Sequence, residues 1–183
     1  MMSVAPVASA GEAAGYYSNS DNYYFLGSLQ SLWMGEGAKE LGLEGNVRGD
    51  DLTAVLEGRL PDGSRLGKEV NGQHVHRPGH DLTFSAPKSV SILALIGNDK
   101  EMVEAHNHAV RVAAGYVEKL ISARDTKDGV TSIVHTGKMV AAAYTHDTSR
   151  NLDPQLHTHL LIANMTEYAG KWKALATDYI HNA

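Results

Sequence analysis

The run 2–7 is expected to form a first strand, followed by a small-residue turn through Gly15. From 22 to 43 the periodicity predicts a helix, with Ser20 or Asp21 as N-cap and Gly42 near its stop, although Gly35 and Gly37 weaken it. Residues 58–80 are crowded with turn formers (Gly58, Pro61, Asp62, Gly63, Gly72, Pro78, Gly79) and read as a loop. A short strand over 81–84 comes next, and Ser85 and Ser89 offer caps for a helix through Ile96. The strongest helical signal spans 99–123. There Val103, Val110, Ala113, Val117 and Leu120 recur at steps of three, four and seven, and Asp99 and Glu101 suit the start. Strands are then predicted over 130–135, 139–146, 156–165 and 171–175, punctuated by Gly129, Gly137 and Gly170. Their short connections suggest an antiparallel meander, and helices early with strands late suggest an α+β layer fold.

Composition narrows the function class. The 183 residues include no cysteine, which removes disulfide frameworks, thiol catalysis, cysteine–zinc sites and iron–sulfur clusters. No apolar run approaches the ~18 residues of a membrane span. The first residues end in small side chains like a signal peptide, but no Lys or Arg precedes Lys39, so a cytoplasmic protein is expected. The formal charge of −5 is uneven: residues 1–57 hold eight acids against two bases, and 58–183 hold 13 acids against 14 bases. Phosphate contacts depend on local patches, so the total does not exclude nucleic acid.

The most informative segment is HDTSRNLDPQLHTH at 146–159. In a strand, side chains two apart share a face, which puts His157 beside His159. If the intervening polar segment closes a hairpin, His146 returns on the neighbouring strand at the same height. Leu156, Leu160 and Ile162 then fill the opposite face. Three imidazoles from two strands would form a facial metal site with open positions for substrate oxygens. On spacing alone, exposed strand histidines without a metal remain an equal reading. His74 and His76 repeat the spacing, but among turn formers where strand geometry is not expected. His106 and His108 fall two apart on a helix and are expected to be solvated.

Four of the eight tyrosines form the pairs Tyr16–Tyr17 and Tyr23–Tyr24. A phenol with an ordinary pKa of ~10 is a weak nucleophile at neutral pH. Aromatic packing explains the pairs by themselves; a metal able to withdraw charge from a phosphodiester would make attack by a tyrosine feasible.

The paired tyrosines, the segment GHDLTFSAPKSVS at 79–91 and the histidine segment at 146–159 occur in that order. Together they closely resemble the N-terminal relaxase domain of the TraI/TrwC class of conjugative plasmid transfer proteins, its F-plasmid branch in particular. The resemblance implies an antiparallel sheet with helices packed on it, the two-layer palm shared with rolling-circle initiators. It also implies a single relaxase domain over 1–183 that lacks the family's C-terminal part. The implied activity is site- and strand-specific transesterification of single-stranded DNA at the nic site of a transfer origin. Tyr16 matches the leading nucleophile, giving a 5′-phosphotyrosine, and Tyr17, Tyr23 and Tyr24 match auxiliary tyrosines. His146, His157 and His159 match the metal ligands, with Mg²⁺ or Mn²⁺ as the implied ion. Asp81 matches the acid that orients a histidine or helps take the tyrosine proton. Lys88 and Arg150 are candidate contacts to the DNA strand, and Lys171, Trp172 and Lys173 a possible stacking platform. Implied partners are transfer-origin DNA and other relaxosome and conjugation proteins, with the chain itself monomeric. A non-catalytic origin-binding fragment and an unrelated three-histidine metalloenzyme are the alternatives.

Overall fold

A computed structural model describes residues 1–18, 30–149 and 151–176. From the N-terminus they form β1 (Met2–Pro6), α1 (Ala10–Ser18), β2 (Gln30–Met34), α2 (Glu36–Glu40), α3 (Gly49–Leu56), β3 (Lys68–Val70) and β4 (Gln73–Val75). Next come β5 (Gly79–Ser85), α4 (Lys88–Leu95), α5 (Lys100–Leu120), β6 (Ser122–Lys127) and β7 (Val130–His135). The last elements are β8 (Ala141–Thr148), β9 (Pro154–Ala163), β10 (Thr166–Tyr168) and β11 (Lys171–Lys173).

The expected α+β architecture is the one that forms, built on a five-stranded antiparallel sheet in the order β1-β5-β9-β8-β2. The expected meander survives only as the β8–β9 hairpin. β3–β4, β6–β7 and β10–β11 are separate two-stranded ribbons. β7 pairs only with β6 in such a ribbon and is almost entirely exposed. β5 takes the place beside β9, because its alternation serves both faces: Leu82 and Phe84 on one, Asp81 and Thr83 on the other.

β8 and most of β9 are buried on both sides; their paired halves, 141–144 and 160–163, are continuous apolar runs, and their other halves carry the polar residues. On one face Leu82, Ala141, Ala143, Leu160 and Ile162 pack under Ala114, Val117 and Ile121, completing the palm of sheet and helices. The other face carries Val140, Ala142, Tyr144 and Leu161 against Ala13 and Tyr17 of α1 and Leu52, Val55 and Leu56 of α3.

Several local expectations change. The turn expected through Gly15 is α1. Ser9 starts it, its hydroxyl accepting from the Glu12 N–H at 3.2 Å and its carbonyl from the Ala13 N–H. Ser9 and Glu12 stand in the S-x-x-E spacing of a capping box, and the alanines at 10, 13 and 14 favour the helix. The 22–43 helix is β2 and then the short α2; residues 22–29, with Tyr23 and Tyr24, lie outside the described residues. Gly35, at φ 100°, breaks the two apart, and a Cβ there would collide with the Met139 carbonyl. Trp33 is buried while Leu32 is 44% exposed, a strand alternation at the sheet edge. The 58–80 loop contains the β3–β4 hairpin, turned by Asn71-Gly72 with both residues at positive φ. His74 is therefore on a strand. Neither Ser85 nor Ser89 caps α4; Pro87 occupies the cap position, and the Ser91 hydroxyl donates back to its carbonyl. α5 begins as expected, with Asp99 accepting from the Glu101 and Met102 N–H groups, but ends at Leu120, and 122–123 belong to β6.

Candidate metal centre

The turn between β8 and β9 is closed by its own polar groups. The Ser149 N–H donates to the Asp153 carbonyl at 2.9 Å, and the Ser149 hydroxyl accepts from the Asn151 and Asp153 N–H groups. This closure pairs His146 with His157 and Tyr144 with His159, so the three imidazoles share one face. Their ring centroids lie 5.1–5.3 Å apart, and one nitrogen of each lies within 4.8 Å of the others. Among the described residues this is the cluster of three potential ligands able to hold a metal ion.

Hydrogen bonds aim the rings. His159 Nδ1 donates to Asp81 Oδ2 at 2.8 Å, with Oδ1 at 3.1 Å and the Thr83 hydroxyl at 3.2 Å. Asp81 and Thr83 reach it from β5, on the side of β9 opposite β8. His157 Nδ1 donates to the Gln155 carbonyl at 2.9 Å. Carboxylates and carbonyls only accept, so both rings carry a proton on Nδ1, which leaves Nε2 as the nitrogen for a ligand role. Burial pushes His146 down to about 3, helped by the neighbouring imidazoles His159 and His157 and opposed by Asp81. Burial also lowers His157. Neutral imidazoles in a facial array suit a divalent cation, so this donor set fits a metal.

Tyr17, from the last turn of α1, covers the cluster. Its ring lies 5.0 Å from that of His159, 5.6 Å from Tyr144 and 6.3 Å from His146, and its hydroxyl donates to Asp81 Oδ2 at 2.6 Å. Asp81 therefore joins a metal-ligand candidate to a tyrosine. Tyr16 precedes Tyr17 in α1. The Tyr16 side chain, like Tyr23, Tyr24 and Arg150, lies outside the described residues. Lys88 opens α4, and its ammonium donates to the Pro154 carbonyl at 3.0 Å.

Three participants have no counterpart among the residues expected from sequence. Thr83 carries a usable signal, since it lies two residues from Asp81 on the same strand face. The Gln155 carbonyl carries none. His106, expected to be solvated, is buried beneath the site with Nε2 2.9 Å from the Thr158 hydroxyl, whereas His108 is exposed as expected. Trp172 is partly buried against the α1–α3 core. A separate cleft of about 1010 Å³ lies among the three ribbons, lined by Lys68, Arg77, Arg124, Lys171 and Lys173 with Asp125 as its acid. No described helix is long and apolar enough to cross a membrane.

Comparison with known proteins identifies a family and a shared fold. The family described as TrwC relaxase matches over residues 10–183. The multifunctional conjugation protein TraI of Escherichia coli (strain K12) is 53% identical over 180 residues, which are 98% of this chain and 10% of that relative. The present chain thus spans about a tenth of the length of that relative. The metal-bound structure of the conjugative relaxase TrwC in complex with oriT DNA superposes with a TM-score of 0.89 at 41% identity, covering 100% of this chain and 64% of the other. A copper-bound structure of TrwC in complex with oriT DNA matches with the same score, identity and coverage.

Proposed function

The chain belongs to the TrwC relaxase family, and from that premise we propose that it is a metal-dependent enzyme that nicks one strand of DNA at the nic site of a plasmid transfer origin. The observation that carries this reading is the convergence of three imidazoles with Asp81 and a tyrosine of the Tyr16–Tyr17 pair on one face of the sheet.

The proposed reaction is a transesterification. The Tyr16 phenol oxygen forms a bond to the scissile phosphorus and the bond from phosphorus to the 3′-oxygen breaks. A 5′-phosphotyrosine and a free 3′-hydroxyl result, the phenol proton being delivered to the departing oxygen. One phosphodiester replaces another, so the step needs no nucleotide hydrolysis. His146, His157 and His159 would hold a divalent cation, proposed to be Mg²⁺ or Mn²⁺, which when bound supplies charge withdrawal at the scissile phosphate. Asp81 holds His159 in the tautomer that presents Nε2, and also holds the Tyr17 hydroxyl. Its carboxylate is the base within the site that can pass on a phenol proton. Tyr17, Tyr23 and Tyr24 are proposed as auxiliary tyrosines.

Lys88 and Arg150 are proposed contacts to the single strand, and the five basic side chains lining the ribbon cleft are proposed as a separate phosphate-binding surface. Residues 1–183 are read as one relaxase domain, monomeric and cytoplasmic, working with other relaxosome and conjugation proteins.

The test is a covalent-adduct assay with a labelled single strand spanning the nic site, with Mg²⁺ or Mn²⁺, an EDTA control and Tyr16→Phe. A denaturant-stable adduct that requires both metal and Tyr16 is expected. An adduct that persists in Tyr16→Phe would overturn the nucleophile assignment. DNA binding without any adduct would make this chain an origin-binding fragment.

A further inference from the structure

Behind the three histidines, on the opposite face of the same two strands, lies a buried chain of polar groups that the proposed reaction does not use. Thr158 stands between His157 and His159 on β9, and Thr145 precedes His146 on β8; the two threonines are cross-strand partners. Their hydroxyls are 3.0 Å apart, and His106 Nε2 of α5 lies 2.9 Å from that of Thr158. The three residues are 7%, 2% and 9% exposed for Thr145, Thr158 and His106 respectively.

Polar groups in such a place need an explanation. Ala143 and Leu160, next along the same face, are apolar, and valine would fit the pleat as well as threonine. A buried hydroxyl or imidazole costs stability unless it is bonded, and these are bonded to one another in sequence. What hydrogen bonds provide and apolar contacts do not is a fixed register. Fixing is needed at this point, because the β8–β9 ladder shifts register between His146 and Thr148, immediately beyond the Thr145–Thr158 pair. A one-residue slip would turn His146 to the other face.

We propose that His106, acting through Thr158 and Thr145, is a positioning residue for the metal-binding histidines, locking β8 to β9 in the register that brings His146 level with His157. This rests on the reading of His146, His157 and His159 as a metal site. Burial holds His106 at about 4, so at neutral pH it is an uncharged hydrogen-bonding partner. α5 carries it on the face that also buries Val110 and Ala114, so the brace is anchored in the helix layer.

The test is titration of the metal-free chain with Co²⁺, monitored by visible absorption, and with Mn²⁺ in competition, with circular dichroism reporting the fold. His106→Leu should weaken Co²⁺ binding about tenfold and alter the visible spectrum, as loss of a group that orients a ligand does. His106→Gln, which can still bond Thr158, should stay within about threefold of wild type. Thr158→Val removes that bond together with the one to Thr145 at nearly constant volume, and should weaken binding at least as much as His106→Leu. The double variant should be no weaker than Thr158→Val alone, because that substitution already removes the bond to His106. If His106→Leu does not fold, Thr158→Val decides. A folded Thr158→Val or His106→Leu with wild-type affinity and spectrum overturns the proposal. The underlying site reading fails separately, and takes this inference with it, if wild type binds no Co²⁺ or if His157→Ala binds it equally well.

Discussion

His157-Thr-His159 and His74-Val-His76 have the same spacing, and each places a histidine on a strand of a hairpin. Among the described residues, only the first pair gathers a third potential ligand into a metal-sized cluster. β9 has a strand on each side, so β8 delivers His146 from one flank while β5 delivers Asp81 and Thr83 from the other. β4 has only β3, which sets Glu69 opposite His74 in an exposed ribbon. His76 packs instead against the glycines at 58 and 67, where a Cβ would crowd it. The turn formers around the second pair point to a loop, yet His74 lies on a strand, and the pair lacks a cluster for a different reason. Spacing aligns two imidazoles, but the neighbouring strands decide whether anything meets them.

The largest expected effect tests that contrast directly. His159→Ala should weaken Co²⁺ or Mn²⁺ binding by at least about 100-fold, or about 2.7 kcal/mol, whereas His74→Ala and His76→Ala should leave it within about twofold. Isothermal titration on folded variants measures both, and a large loss in His74→Ala would erase the distinction drawn between the hairpins. Next comes the flank supplied by β5. Asp81→Asn keeps one acceptor but loses the charge and the capacity to hold both the His159 ring and the Tyr17 hydroxyl. A loss of about tenfold in metal affinity is expected, and an unchanged affinity would mean that β8 and β9 alone make the site.

What the sequence makes legible divides along the same line. The β8–β9 hairpin can be read because its signals are local: alternation in two nearby segments, a polar turn between them, and histidines in phase. The placement of β5 beside β9 cannot, since it joins residues about 80 positions apart and nothing local specifies the partner. Asp81 enters through family resemblance; its bonds to His159 and Tyr17 depend on that distant pairing. Local signals are also lost where two elements share one pattern. The apolar positions near Trp33 fit a helix until Gly35, at positive φ, divides strand from helix. At α1 the capping residue Ser9 is plain in the sequence, but the glycines near it suggest a turn. His106 reads as solvated because it and His108 fall two apart on a helix and face different ways; its place four residues before Val110, on the buried face of α5, is the signal that reading passes over.

Acid should affect both histidine pairs, which sharpens the contrast from another direction. Burial depresses His146 to about 3 and lowers His157 and His76 as well. These groups are neutral in the fold, while the unfolded chain takes up protons near pH ~6.5. The unfolded state therefore binds more protons below that pH. Stability of the metal-free chain is full above about pH 6.5 and falls as the pH drops toward the folded values, on the order of 1 kcal/mol per pH unit for each fully buried histidine. Denaturant titrations between about pH 7 and about pH 4 should show this slope, and His146→Gln should flatten it by about one histidine's share. Saturating Co²⁺ should raise the whole curve without flattening it, because metal-bound imidazoles are as free of protons as buried neutral ones while the unfolded chain still takes protons up. A slope unaffected by His146→Gln would mean that its burial carries no linkage.

The smallest effect belongs to the turn of the isolated ribbon. Gly72, at φ 75°, has open space around its Cβ position, so Gly72→Ala is opposed only by backbone conformation. The expected cost is about 1 kcal/mol, read in a denaturant titration. Metal affinity should not change, because β3–β4 shares no strand pairing with β5, β8 or β9. A change in Co²⁺ binding from this substitution would show that the ribbon is coupled to the histidine cluster, and the separation of the two hairpins would then be one of distance rather than of energetics.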